Sequence, residues 1–186
     1  MKNKFTWLHR MLHWSIAFIM VFLFITGLFH QTWMGKDQMA NILQSKIPDI
    51  DPEFAVMVAR SIRAPMFEWH VYASYIIVVL LIIRLIYMWT KGQRFANPLD
   101  KNRSNKERFE GGLYILFYIF MISNTITGFY HLWGTEPAFR KLSGTIHKWS
   151  IYWFPIFIFI HFAGIYLSER SNKKGVSSKM IGGDRL

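Results

Sequence analysis

Four long apolar runs, separated by clusters of charge, divide the chain at about residues 11–33, 66–90, 111–133 and 146–168. A helix that crosses a bilayer needs about 20 mostly apolar residues, and each run is long enough. The first run follows Lys2 and Lys4, as a signal peptide would. It is too long for a signal-peptide core, however, and no small-x-small cleavage site follows it, so it is read as a retained helix. Residues 34–65 form the longest stretch between runs and are expected to be an outer loop. Within it, Phe54-Ala-Val-Met-Val-Ala-Arg-Ser-Ile-Arg63 is amphipathic. That segment suits either a helix lying along the membrane interface or a short helix capping the spans. Residues 169–186 are a polar tail. The pattern predicts an all-α integral membrane protein, a four-transmembrane-helix bundle forming a single domain over residues 1–186.

Composition supports a lipid environment. A chain of 186 residues is ordinarily one soluble domain. Here 52% of residues are apolar and 18% aromatic, while only 18% are charged, against roughly 25% in soluble domains. The absence of cysteine excludes a disulfide scaffold, thiolate-held zinc, iron–sulfur clusters and covalently attached c-type haem. Any metal must be held by imidazole, carboxylate or thioether.

The net charge of +11 is a topology signal. Fourteen Lys and Arg residues lie before residue 11, between 91 and 110, and after 168. The connections 34–65 and 134–145, with the span ends beside them, carry seven together with six acids. By the positive-inside rule, both termini and the 91–110 connection are expected on the cytoplasmic side. This distribution accounts for the basic charge and leaves no need for a nucleic-acid partner.

Ionisable groups inside spans are costly and by default mark function. Of seven histidines, His147 and His161 share the fourth run, 14 residues apart. That spacing is close to whole helical turns and about 21 Å of rise, which places one imidazole near each membrane surface. Pro155 lies between them and is expected to bend the helix. At matching depths, His70 opens the second span at the outer side and His13 begins the first at the inner side. The pairs are therefore His70 with His147 and His13 with His161, the arrangement required by two haems, each held by two imidazoles. His30 competes with His70 for the outer position, but it is rotated about 100° from His13 on the same helix. His9, His30 and His131 read as interfacial histidines at helix ends.

Arg84 follows His70 by 14 residues and suits either a haem propionate or snorkelling to the inner interface. Arg10, three residues before His13, suits a propionate from helix one. Gly27, Gly128 and Gly164 suit close approach of a macrocycle or ordinary helix packing. Asn124, with Ser123 and Thr125, reads as an interhelical hydrogen-bonding group. Trp7, Trp14, Trp33, Trp69, Trp89, Trp133 and Trp149 read as anchors at the membrane interface. No nucleophile–base pair or phosphate loop is present.

The run His9-Arg10-Met11-Leu12-His13-Trp14, continuing to Thr26-Gly27, resembles the start of the bacterial cytochrome b561-type family. So do His70 with Arg84, Thr127-Gly128, and the His147/His161 pair. The family is similar to the membrane cytochrome b subunits of nickel–iron hydrogenase, thiosulfate reductase and respiratory formate dehydrogenase (the gamma subunit). The resemblance implies two haem b groups, ligated as paired above, that carry electrons across the membrane to or from quinone (ubiquinone or menaquinone). It implies a quinone region at the inner haem, near the start of span three, where Glu110, Gly112 and Tyr114 stand. A periplasmic iron–sulfur or multihaem redox subunit is the expected partner, within a complex that can itself be oligomeric. A standalone branch oxidises small reductants such as superoxide and usually has histidines opening span three. None precedes His131 here, which favours the subunit reading. A histidine-based metal transporter is the remaining alternative, but it would gather its ligands at mid-membrane.

Overall fold

The computed structural model describes residues 6–91, 96–170 and 176–182. Of the cations counted for topology, Lys2, Lys4, Arg94, Lys173, Lys174 and Arg185 lie outside these residues. The described chain is all-α and contains no strand: α1 (Trp7–Gln31), α2 (Lys36–Lys46), α3 (Pro52–Thr90), α4 (Asn105–Trp133), α5 (Pro137–Lys148), α6 (Ser150–Glu169) and α7 (Val176–Ile181). Four helical stretches are long and apolar enough to cross a membrane: α1, α3, α4, and α5 running on into α6. Large apolar side chains along them face outward, as in Phe159 at 76% and Trp89 at 85% exposure. Lipid, rather than protein, is the medium that covers such surfaces.

Local chemistry sets where the helices begin. The Thr6 hydroxyl accepts the His9 amide at 3.2 Å and caps α1. Asp51 accepts the Phe54 amide at 2.8 Å, and Pro52 stands at the first helical position of α3, where its missing N–H costs nothing. Ser104 and Glu107 exchange side-chain and backbone hydrogen bonds in a capping box that starts α4 six residues before Gly111. The Ser104→Ala variant is expected to lose about 1 kcal/mol of stability. The check is a lower thermal midpoint together with an unchanged absorption spectrum.

Residues 34–65 do not form a loop. They contain α2 and the first 14 residues of α3. The amphipathic stretch Phe54–Arg63 is neither a separate interfacial helix nor a separate cap, because it runs unbroken through Pro65 into the second span. The reason is a small-residue seam. Ala40 of α2 meets Ala55 and Ala59 of α3, all essentially buried, with Met39, Leu43, Ile50 and Val56 packed around them. Alanines let the two backbones approach closely, and that packing favours helix over loop.

The expected fourth span of 146–168 is longer and is interrupted. The helix begins at Pro137, so most of the expected 134–145 connection is helical, and it is irregular at Trp149. There the Trp149 amide bonds the Ile146 carbonyl in a tight i→i−3 turn. His147 therefore belongs to α5 and His161 to α6. The expected tail also contains a short helix, α7.

The chain divides into two compact units: Trp14–Leu80, and residues up to His13 together with Leu81 onward. In the second unit, the connection before α4 folds back on that helix. Arg108 Nε donates to the Pro98 carbonyl at 2.8 Å, and a Cβ at Gly111 would collide with the Ala96 carbonyl oxygen. The glycine at 111 is thus required by the close approach of backbone.

Candidate functional site

His13 of α1 and His161 of α6 lie together. Their ring centroids are 6.2 Å apart, with planes inclined by 41°. Two metal–nitrogen bonds of about 2 Å and two imidazole radii of roughly 1.1 Å span about 6 Å, so the spacing fits one metal ion held between the rings. The His161 ring is held from its own helix by Phe157, stacked at 5.7 Å, and Phe117 of α4 stacks on Phe157 at 4.2 Å. Aromatic residues four apart on a helix share a face, which is how Phe157 comes to stack on the His161 ring.

Near this pair, Arg10 offers a second feature that suits a haem. Its Nη1 donates to the Ile181 carbonyl of α7 at 3.3 Å, while its Nε is buried with no hydrogen-bond partner. A buried donor left unmade is expensive, and a carboxylate such as a propionate is the strong acceptor that would satisfy it. The residues present fit a haem that His13 and His161 would hold, with Arg10 offering a donor for a propionate.

Arg84, for which the sequence offered a haem propionate or the inner interface, is held by protein groups on α1 and α4. Its Nη1 donates to the His9 carbonyl at 3.4 Å, Nη2 lies 3.3 Å from His9 Nε2, and Nε donates to the Tyr118 hydroxyl at 3.4 Å. His9, expected at the interface, is buried at 8% exposure, with Tyr87 edge-on to its ring. The intramembrane guanidinium is accommodated by protein acceptors on α1 and α4, which lowers the cost of burying it.

His147 is seated by α4. Its Nδ1 lies 2.9 Å from the Asn124 main-chain oxygen. A carbonyl only accepts, so Nδ1 carries the proton and Nε2 keeps the lone pair that a metal needs. The Thr127 hydroxyl also reaches that carbonyl, at 3.2 Å. Gly128 is the floor of the seat, because a Cβ there would stand 2.8 Å from His147 Cε1 and 2.9 Å from Nδ1. One turn further on, His131 repeats the device: its Nδ1 donates to the Arg140 carbonyl at 3.0 Å, and its ring packs on Gly144. His131 is thereby committed to joining α4 to α5.

His70 belongs to the other unit and is seated by α1. Its Nδ1 lies 2.8 Å from the Thr26 hydroxyl, and its Cε1 would be 3.5 Å from a Cβ at Gly27. His30, in the same unit, stacks on Phe67 at 5.4 Å. Two of the glycines singled out in the sequence thus admit histidine rings. At Gly164 a Cβ would meet nothing within 4 Å.

In the expected quinone region, Glu110 lies 3.9 Å from Lys106, Gly112 approaches Pro98, and Tyr114 is 36% exposed on α4. Sequence reasoning missed the main-chain carbonyl of Asn124 and the Tyr118 hydroxyl. The first leaves no side-chain signature, since the amide side chain suggested a different kind of contact. Thr26 did leave a signal, as half of the Thr26-Gly27 pair.

Each of the four membrane-spanning stretches carries histidine, the commonest metal-binding side chain. Residues 4–183 match the prokaryotic cytochrome b561 family, and the chain belongs to it. Family membership implies b-type haem and a multi-pass membrane protein that works in electron transfer. No curated protein and no solved structure gives a match.

Proposed function

We propose that the protein is the dihaem cytochrome b subunit of a respiratory oxidoreductase, carrying electrons between a periplasmic redox partner and the quinone pool. His13 and His161 ligate the inner haem, and His70 and His147 ligate the outer one. The observation that carries this reading is the His13–His161 spacing of 6.2 Å, supported by the unpartnered Nε of Arg10 beside it.

A haem whose axial positions are both imidazole has no open site for oxygen or substrate, so it supplies one-electron transfer. The chain's own residues do the rest. Nδ1 hydrogen bonds hold His70 and His147 in the metal-binding tautomer, the Phe117–Phe157 stack orients His161, and Arg10 offers a donor to a propionate. Glu110, Gly112 and Tyr114, at the cytoplasmic start of span three, are the quinone region of this proposal. The partner on the periplasmic face is an iron–sulfur or multihaem protein, because a chain without cysteine cannot hold such a cluster itself.

A reduced-minus-oxidised spectrum with a haem-to-protein ratio on the purified protein tests the reading. Two low-spin b haems per chain are expected, and a chain that purifies folded and haem-free would overturn it. The alternative, direct oxidation of a small reductant such as superoxide, is separated by copurification. A periplasmic electron-transfer protein that copurifies supports the subunit reading. Reduction of the haems by superoxide in the isolated chain, with quinol as product, supports the alternative.

A further inference from the structure

The Thr26 hydroxyl lies within reach of three groups: the Phe22 carbonyl at 2.9 Å, the Leu23 carbonyl at 3.1 Å and His70 Nδ1 at 2.8 Å. A hydroxyl has one proton and two lone pairs. The carbonyls of its own helix can only accept, and when the proton goes to either of them a lone pair is left for the ring. Thr26 is buried at 8% exposure, so this acceptor is shielded from exchange with water. Bonding back to its own helix is common for threonine and explains the two carbonyl contacts. It does not explain the third, which joins α1 to α3 at a histidine. Gly27, next in sequence, leaves only ordinary van der Waals distance to His70 Cε1, so the ring rests close against α1.

On the reading that His70 is a haem ligand, we propose that Thr26 is a positioning residue for it. Thr26 fixes the Nδ1–H tautomer, aims Nε2 at the iron, and lowers the reduction potential of the haem that His70 holds. The physical basis is ligand basicity. An Nδ1–H that donates to a fixed oxygen makes the imidazole a stronger donor, and a stronger donor favours ferric over ferrous iron. His147 reaches the same tautomer through a main-chain carbonyl, which a side-chain substitution cannot remove. Thr26 is therefore the one of these two acceptors that mutation can delete.

The test is a spectroelectrochemical titration, with low-temperature electron paramagnetic resonance, of the purified Thr26→Val, Thr26→Ser and His70→Ala proteins. Valine keeps the volume and removes the acceptor, whereas serine keeps the acceptor. The expected result is that Thr26→Val raises the midpoint potential of one haem and shifts its low-spin signal. Thr26→Ser is expected to match the wild type, and His70→Ala to lose that same haem. Loss of one haem in Thr26→Val but not in Thr26→Ser also supports the hydroxyl's role. Unchanged or lowered potentials in Thr26→Val, or equal haem loss in both threonine variants, overturn the inference. If instead His70→Ala retains its full haem content, the assignment of His70 itself fails.

Discussion

His161→Ala is expected to halve the haem content of the purified protein, and His13→Ala is expected to remove the same haem. The two ring centroids lie 6.2 Å apart, so under the proposed ligation either substitution would remove one of the two imidazoles that hold that haem. Histidine-ligated metals in proteins depend on the full ligand set and its supporting hydrogen bonds, and losing a ligand costs more than losing a supporting contact. His147→Ala and His70→Ala are expected to remove the other haem and spare the first. Difference spectra with redox titration distinguish the two haems by potential. A His161→Ala protein that lost both haems, or a His13→Ala protein that lost the haem missing from His147→Ala, would show that the pairing is wrong.

Gly128→Ala is expected to disrupt the seat of His147 almost as severely as removing the histidine. The added methyl would stand 2.8 and 2.9 Å from two ring atoms, closer than carbon atoms pack. The ring has little room to yield, because its Nδ1 is fixed to the Asn124 carbonyl at 2.9 Å. Overpacking of this kind costs about 1–3 kcal/mol. Under the proposed ligation it would fall on a haem ligand, whose position must be kept to a fraction of an ångström. The expected outcome is loss of one haem, or its conversion from a low-spin to a high-spin spectrum, with the other haem intact. Gly27→Ala is the matched control. A Cβ there meets His70 Cε1 at 3.5 Å, an ordinary contact, so haem content and spectrum should stay close to wild type. If both variants behaved alike, the Gly128 seat would be refuted.

These variants also show where sequence reasoning was strong and where it stopped. The four spans were legible because a helix in lipid must be apolar along about 20 residues, a pattern that no soluble fold imitates. His13 and His161 were legible as a pair because imidazoles inside a span are too costly to be incidental, and helical rise converts their positions into depths. The helix starts at Asp51-Pro52 and Ser104–Glu107 carry local signals that a finer reading would find. Sequence pattern suggested helix only at 54–63 of the 34–65 connection, because α2 and the start of α3 are stabilised by packing of Ala40 on Ala55 and Ala59, contacts between residues at least 15 apart.

The sequence by itself determined that this is an all-α membrane cytochrome of the b561 family. It did so because hydropathy and charge bias are forced by the bilayer, while histidines stand inside it only at a cost that marks function. Tertiary structure alone decided how the histidines are used. It placed a main-chain oxygen at His147, a hydroxyl at His70, an aromatic stack behind His161 and a buried unpartnered nitrogen on Arg10. It also turned Arg84 toward His9 and Tyr118. The physical reason is that hydropathy is a property of single residues summed along the chain. Tautomer, tilt and partner are properties of distances between atoms far apart in it.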